Sequence, residues 1–182
     1  MMTLDDAWGW YHKTRFMLKS FGRLGMSHWD SLPSESSLWK DDRFKELNSA
    51  TIVEDSKLCL EPLDDFAVLI LFSVFESSVR ERVLAEVQRE RALLSHHILT
   101  GIVDDAMQGI ENGSFFRVLE VFKARDADMV EEVNQVRRYR NWVAHGRSTA
   151  RPNNAVDPET AYVRLRRFLD RLSETDQGPA GV

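Results

Sequence analysis

The chain has 182 residues, of which 43% are hydrophobic and 29% are charged. This length and balance are typical of one soluble globular domain, and they exclude a fully disordered or collagen-like chain. The single cysteine, Cys59, excludes an internal disulfide framework and predicts a reducing compartment. The start lacks the pattern of a secretion signal, and the longest apolar run, residues 66–75, is about half a membrane span. We therefore expect a cytoplasmic protein without a membrane segment.

The net charge of −5 conceals an uneven distribution along the chain. Residues 1–116 carry 12 basic and 19 acidic side chains, whereas residues 117–171 carry 12 basic and 8 acidic ones. Residues 137–151 hold five arginines and no acid. Arginine suits bidentate contacts with phosphate, so a local phosphate-binding patch is one interpretation, and a solvated helix face is the other.

The spacing of apolar residues is helical along the whole chain, so the predicted fold class is all-α. Thr3 and Asp6 resemble a capping pair that begins a helix ending near Ser20. Residues 22–38 contain two glycines and a proline and are predicted to form a loop. Pro62 suits the first turn of a long helix that ends near residue 90. The other predicted helices cover residues 41–48, 95–108, 115–123, 126–146 and 158–172.

Three regions follow from these elements. Residues 1–60 are predicted to form an N-terminal helix, a loop and a short helix. Residues 61–172 are predicted to form the helical core, because the long helix within them is apolar nearly all round in its first half. Residues 173–182 contain two glycines and a proline and are predicted to be a disordered tail.

The predicted helix 126–146 presents an unusual polar position. Met129, Val133, Val136 and Val143 follow the spacing of a core stripe. Arg140 occupies the position that should complete this stripe. Because an unpaired buried charge is costly, we expect Arg140 to reach a partner or to line a cleft.

A second, polar stripe lies next to the first one. It consists of Asn134, Arg137, Asn141 and His145, spaced three or four residues apart, and contains no acid. A histidine can exchange a proton with a ribose hydroxyl or a leaving oxygen, and an arginine can neutralise charge that develops on phosphoryl oxygens. These side chains suit cleavage of a phosphodiester without a metal ion. One histidine beside one arginine gives a weak catalytic site, and two copies of this helix that face each other across a two-fold axis would give a stronger one.

The segment Arg140-Asn-Trp-Val-Ala-His145 resembles the Arg-(four to six residues)-His motif of HEPN domains. A polar residue commonly follows the arginine in that family, and Asn141 occupies this position. The Phe75-Glu76 pair, with an arginine a few residues on, resembles the RiboL-PSP and MAE-type HEPN branches. The resemblance covers about residues 60–172, and residues 1–60 have no counterpart in it.

The arginine–histidine spacing alone is weak evidence, because it occurs three times in the chain. Arg23 to His28 spans a glycine, and Arg91 to His96 crosses a predicted helix break. Only the third occurrence, Arg140 to His145, has a polar residue after the arginine, a glycine after the histidine and a position at a predicted helix end.

The resemblance implies an HEPN-like up-and-down bundle with an N-terminal helical extension, and metal-independent cleavage of RNA at a homodimer interface. It places Arg140 and His145 in catalysis and Asn141 in support, with no cofactor. We expect Arg137, Arg138 and Arg147 to hold the RNA backbone. The expected role is a toxin or defence effector, with a nucleotidyltransferase-type antitoxin as an implied partner. One alternative is an inactive HEPN-like module that binds a partner protein or a nucleotide, since one fold hosts many functions. Another is a plain helical scaffold in which the motif occurs by chance.

Three further features have more than one interpretation. Glu76 is a candidate ion-pair partner for Arg140, or a plain surface or interface glutamate. Trp142 lies inside the motif and is a candidate support residue, although tryptophans more often serve a core or an interface. The pairs at 96–97 and 104–105, two histidines and two aspartates, suggest a metal site, but their spacing favours exposed polar residues at a helix start.

Overall fold

The computed structural model describes residues 2–33, 35–147, 150, 152 and 155–175. In this part of the chain every regular element is a helix, which confirms the all-α prediction. The chain divides into two compact units, one of residues 5–67 and one of the remainder. None of the described helices combines the length and the apolar character needed to cross a bilayer.

Seven α-helices and two short 3₁₀ helices form the described part of the chain. The 3₁₀ helices cover Trp29–Ser31 and Ser37–Lys40. The α-helices are α1 Leu4–Ser27, α2 Asp42–Lys45, α3 Ser49–Arg91, α4 His97–Asn112, α5 Phe115–Glu120, α6 Ala127–Ala144 and α7 Pro158–Thr175.

Helix α1 is longer than predicted, because it continues through two glycines to Ser27. A Cβ atom at Gly25 would lie 2.8 Å from Ile52 Cγ2, and one at Gly22 would lie 3.2 Å from Ser56 Cβ. These glycines allow α1 to approach α3 closely within the first unit. The prediction of a loop from residue 22 was wrong because it took these two glycines as the end of the helix, whereas they are helical positions that contact α3.

Helix α3 does not begin at Pro62, which corrects the predicted start. It begins at Ser49 and runs through Pro62 without interruption. A proline in a helix interior removes one hydrogen bond and costs about 3 kcal/mol. Packing on both sides of it, with Ile52 and Leu63 buried, outweighs that cost.

The remaining helices lie where they were predicted, with several ends shifted by one to four residues. Helix α4 begins at His97 rather than Ser95, and His96 caps it without a side-chain bond. Helix α6 begins after Asp126 and α7 begins at Pro158, as predicted. Helix α7 continues to Thr175, so the first residues of the predicted disordered tail are helical. Residues 176–182 lie outside the described part of the chain.

The second unit has a core built from α3, α5, α6 and α7. Phe75 is fully buried, and its ring centroid lies 5.4 Å from that of Phe168 on α7 and 5.9 Å from that of Phe115 on α5. Val133 and Val136 of α6 are also fully buried. This packing fixes α6 and the polar side chains that it carries.

Candidate functional site

Helix α6 has defined ends, which set the position of its polar side chains. The Asp126 carboxylate accepts a hydrogen bond of 2.9 Å from the Met129 backbone N–H and caps the helix. At the other end Gly146 has a φ of 69°, a left-handed conformation that favours glycine and stops a helix. The His145 backbone N–H donates to the Asn141 carbonyl at 3.0 Å, and His145 is the C-cap residue of the helix.

Three of the four residues of the predicted apolar stripe of α6 are buried, Val143 is half-buried, and Arg140 interrupts the stripe. Met129, Val133 and Val136 are buried, whereas Arg140 is half-buried. Its guanidinium carbon lies 5.7 Å from the centroid of the Phe72 ring. Arg140 therefore packs over the edge of the aromatic core instead of extending into solvent.

Arg140 lines a cavity of about 260 Å³ in the second unit. The cavity lies between α3, the α4–α5 connection and α6. Its polar and charged lining residues are Glu76, Arg80, Ser114, Arg137, Arg140 and Asn141. Its aromatic lining residues are Phe72, Phe115 and Phe116.

The Arg140 guanidinium has a donor nitrogen that hydrogen-bonds to no group among the described residues. Nη1 donates to Asn141 Oδ1 at 3.1 Å. Nε is buried and has no hydrogen-bond partner among the residues that the structure describes. No carboxylate within the described residues pairs with Arg140. The neighbouring Asn141 side chain therefore orients a cation whose charge is not neutralised.

Arg137 is the second cation of α6 in the cavity. Its Nε donates to Oδ1 of the buried Asn134 at 3.0 Å. Its guanidinium carbon lies 5.0 Å from the centroid of the Phe116 ring. Burial, and then the charge of Arg138, lower the pKa of Arg137 from its ordinary value. Arginine stays protonated in proteins, so this shift marks a cation that has lost solvation.

Glu76 pairs with Arg80 and not with Arg140. Glu76 Oε1 accepts hydrogen bonds from Arg80 Nε at 3.0 Å and from Arg80 Nη2 at 2.7 Å. Arg80 also donates to the backbone carbonyls of Ile110 and Gly113, the latter at 2.9 Å. The pair joins α3 to the end of α4 and forms one wall of the cavity.

The other predicted site residues lie outside this cavity. His145 is exposed at the end of α6 and does not line it. Arg138 is exposed and pairs with Glu131. The Arg147 guanidinium carbon lies 5.7 Å from the centroid of a Trp142 ring. The structure thus brings Arg137, Arg140 and Asn141 together with Glu76 and leaves the other predicted residues around them.

The charges in the cavity define what it can bind. Three arginines and one glutamate line it, and the glutamate is paired with Arg80. Arg137 and Arg140 form no ion pair with a carboxylate among the described residues, although the charges of Glu131 and Glu76 act on Arg137. Both arginine side chains are half-buried, and an anion bound between them would offset the free-energy cost of burying their charges. A phosphate group matches the planar donors of the two guanidinium groups.

Two features of the cavity were missed by sequence reasoning. Arg80 entered the sequence analysis only as the arginine that follows Phe75-Glu76, although its i,i+4 spacing from Glu76 is the spacing of a helical ion pair. Phe116 was not singled out, because no sequence pattern places the α5 side chains beside α6.

The pairs of histidines and aspartates at 96–97 and 104–105 do not converge. Asp104 pairs with Arg91, whose Nη2 lies 2.9 Å from its Oδ2. The rings of His96 and His97 stack with centroids 5.3 Å apart. Across the described residues no group of three or more His, Cys, Asp or Glu side chains is placed to hold a metal ion.

The comparisons with known proteins identify no relative. The family models, the curated proteins and the solved structures contain no match to this chain at a significant level.

Proposed function

We propose that the chain is a metal-independent endoribonuclease of the HEPN type that holds an RNA phosphate in the arginine-lined cavity. The observation that carries this proposal is the pair of α6 arginines, Arg137 and Arg140, which face the cavity without a carboxylate partner in the described chain. Their neighbourhood adds an amide at Asn141 and an exposed imidazole at His145 on the same helix. These groups supply charge, orientation and proton transfer to one phosphodiester.

Each side chain has a separate task in this proposal. Arg140 neutralises the charge that develops on the phosphoryl oxygens, which is the largest single term in such reactions. Asn141 holds Arg140 through its Oδ1. His145 transfers a proton at the ribose or at the leaving oxygen. The resemblance implies a site assembled from two copies, and the exposed position of His145 leaves it available to a second copy.

The test is cleavage of a fluorescent single-stranded RNA in the presence of EDTA. We expect the wild type to cleave it and to leave a 2′,3′-cyclic phosphate and a 5′-hydroxyl. His145→Ala should lose at least about 100-fold in rate, the usual size of a proton-transfer contribution. His96→Ala is the matched control, because His96 is exposed, belongs to another arginine–histidine spacing and lies outside the cavity. Loss of wild-type activity in EDTA, or equal rates for wild type and His145→Ala, would contradict the proposal.

A second candidate is a module that binds a nucleotide or an RNA end without cleaving it. The observation in its favour is that His145 does not line the cavity. In that case the wild type binds a labelled RNA but does not cleave it. Arg140→Ala should then lose binding, while His145→Ala should bind like the wild type.

A further inference from the structure

Within the described residues, Glu76 is the one carboxylate in the cavity lining. The other polar lining groups are arginines, an asparagine and a serine, and none of them is a base. We propose that Glu76 is the general base that takes the proton of the attacking 2′-hydroxyl, which leaves His145 as the acid. This inference rests on the proposed function and assigns its proton acceptor.

The hydrogen bonds of Glu76 leave half of its carboxylate available. Both donations from Arg80 go to Oε1, at 3.0 and 2.7 Å. Oε2 has no donor in the described part of the chain. The side chain is 24% exposed, so a ligand in the cavity can reach it. A carboxylate held at one oxygen and open at the other can accept a substrate proton.

Arg80 fixes the carboxylate in place. Its guanidinium donates to the carbonyls of Ile110 and Gly113 and lies 5.3 Å from the centroid of the Phe115 ring. Arg80 therefore cannot turn toward a phosphate without breaking these contacts. It acts as a positioning residue for Glu76, and Arg137 and Arg140 remain for the substrate.

The charges that face Glu76 come from two helices. Arg80 lies on its own helix, and Arg137 and Arg140 face the cavity from α6. The α4–α5 connection contributes backbone carbonyls and Ser114 but no charged group to the lining. A phosphate bound by the α6 arginines would therefore lie in the same cavity as the Glu76 carboxylate.

The proposed step balances in protons and bonds. The Glu76 carboxylate takes the proton of the 2′-hydroxyl, the bond from O2′ to phosphorus forms, and the bond from phosphorus to O5′ breaks. The O5′ leaving group takes a proton from the His145 imidazolium. The products are a 2′,3′-cyclic phosphate and a 5′-hydroxyl, and exchange of protons with water restores both side chains.

The test compares Glu76→Gln with the wild type in single-turnover cleavage of the fluorescent RNA in EDTA. The glutamine keeps an oxygen that can accept from Arg80 but cannot take a proton. We expect the rate to fall by about 100-fold or more, and the affinity for a non-cleavable 2′-deoxy oligonucleotide to stay within about two-fold. The acidic limb of the wild-type pH–rate profile should be lost in the variant. Glu132→Gln is the matched control, because Glu132 also pairs with an arginine, Arg167, away from the cavity.

Each outcome decides a different point. If the wild type cleaves and Glu76→Gln cleaves at the same rate, Glu76 is not the base and the proposed function stands. If Glu76→Gln loses affinity and thermal stability along with activity, Glu76 has a structural role and the inference is wrong. If the wild type does not cleave RNA at all, the proposed function and this inference fail together.

Discussion

The two units of the chain each contain a polar cluster with arginine, and the clusters differ in how their charges are balanced. In residues 5–67, Arg15 donates to Asp64 and to the Tyr11 hydroxyl, and Tyr11 donates to the same carboxylate at 2.9 Å. In the second unit, Arg137 and Arg140 have no carboxylate partner within the described residues. The first cluster is complete without a ligand, whereas the second one is not. An incomplete cluster in a cavity is a candidate site, and a complete one is part of the structure.

The complete cluster also shows what a saturated network does to its members. Tyr11 is buried, and burial, followed by its hydrogen bond and its proximity to Asp64, raises the pKa of Tyr11 to about 12. Trp8 stacks on Tyr11 with ring centroids 5.4 Å apart, and Leu63 packs in the same apolar cluster. The comparison predicts that changes in this cluster alter stability, and that changes in the arginine-lined cavity alter binding and cleavage.

The largest expected effect is that of Arg140→Ala on cleavage. We expect the RNA cleavage rate to fall by about 10²–10³-fold or more, because the charge on the phosphoryl oxygens loses its main counter-charge. The free energy of unfolding should stay the same or rise, because a half-buried cation without an ion-pair partner is removed. Cleavage assays and thermal unfolding measure both quantities. If Arg140→Ala cleaves at the normal rate but melts at a much lower temperature, Arg140 stabilises the fold and does not act in cleavage.

The second-largest expected effect is the loss of the Tyr11 contribution to the free energy of unfolding at alkaline pH. The folded pKa of Tyr11 is raised to about 12, above the ordinary value near 10 of an unfolded chain. Its contribution is therefore fully present below pH 10 and is lost as pH rises to 12. The difference in unfolding free energy between wild type and Tyr11→Phe should be constant below pH 10. Between pH 10 and pH 12 the wild type should lose about 2 kcal/mol of unfolding free energy relative to Tyr11→Phe. A difference independent of pH over this range would contradict the assignment.

Asp64→Ala tests the same cluster at neutral pH. The substitution removes the acceptor of both Tyr11 and Arg15. We expect a loss of about 1 kcal/mol in unfolding free energy, since the ion pair is partly exposed and solvent reduces its contribution. RNA cleavage should be unchanged. Reduced cleavage by a folded Asp64→Ala protein would break the separation between the two clusters.

The smallest effects distinguish two neighbouring arginines of α6. Arg137 lines the cavity, whereas Arg138 is exposed and pairs with Glu131. Arg137→Ala should weaken binding of a single-stranded RNA about ten-fold and reduce the slope of log affinity against log salt by about 0.7. Arg138→Ala should change affinity less than about two-fold, as is usual for exposed charges. Equal effects of the two variants would indicate a diffuse basic face instead of a defined cavity.

Part of this organisation could be predicted from the sequence. The all-α class and the span of α6 follow from apolar spacing, Asp126 and Gly146, because these are local signals. Arg140 was singled out because it breaks an apolar stripe, and it does line a cavity.

Other features depend on contacts between distant residues. Pro62 lies inside α3, where a proline usually does not occur. Gly25 lies in α1 at a position that faces Ile52 of α3. Local sequence rules do not contain information about either position. The link from Arg80 to the carbonyls of Ile110 and Gly113 joins residues 30 and 33 positions apart. The sequence therefore indicated the α6 half of the cavity and Glu76 on the facing wall, but not the contacts of Arg80 that complete this wall.

The most direct test of the central claim is nuclear magnetic resonance of the arginine side chains during titration with a non-cleavable 2′-deoxy dinucleotide. The Nε–H signal of Arg140 should shift, because its guanidinium has capacity left for a phosphate. The Nε–H signal of Arg80, which already donates to Glu76, should stay in place. A shift of Arg140 without a shift of Arg80 would support the cavity as the phosphate site. No change at Arg140 at saturating dinucleotide, with the protein folded, would contradict the account.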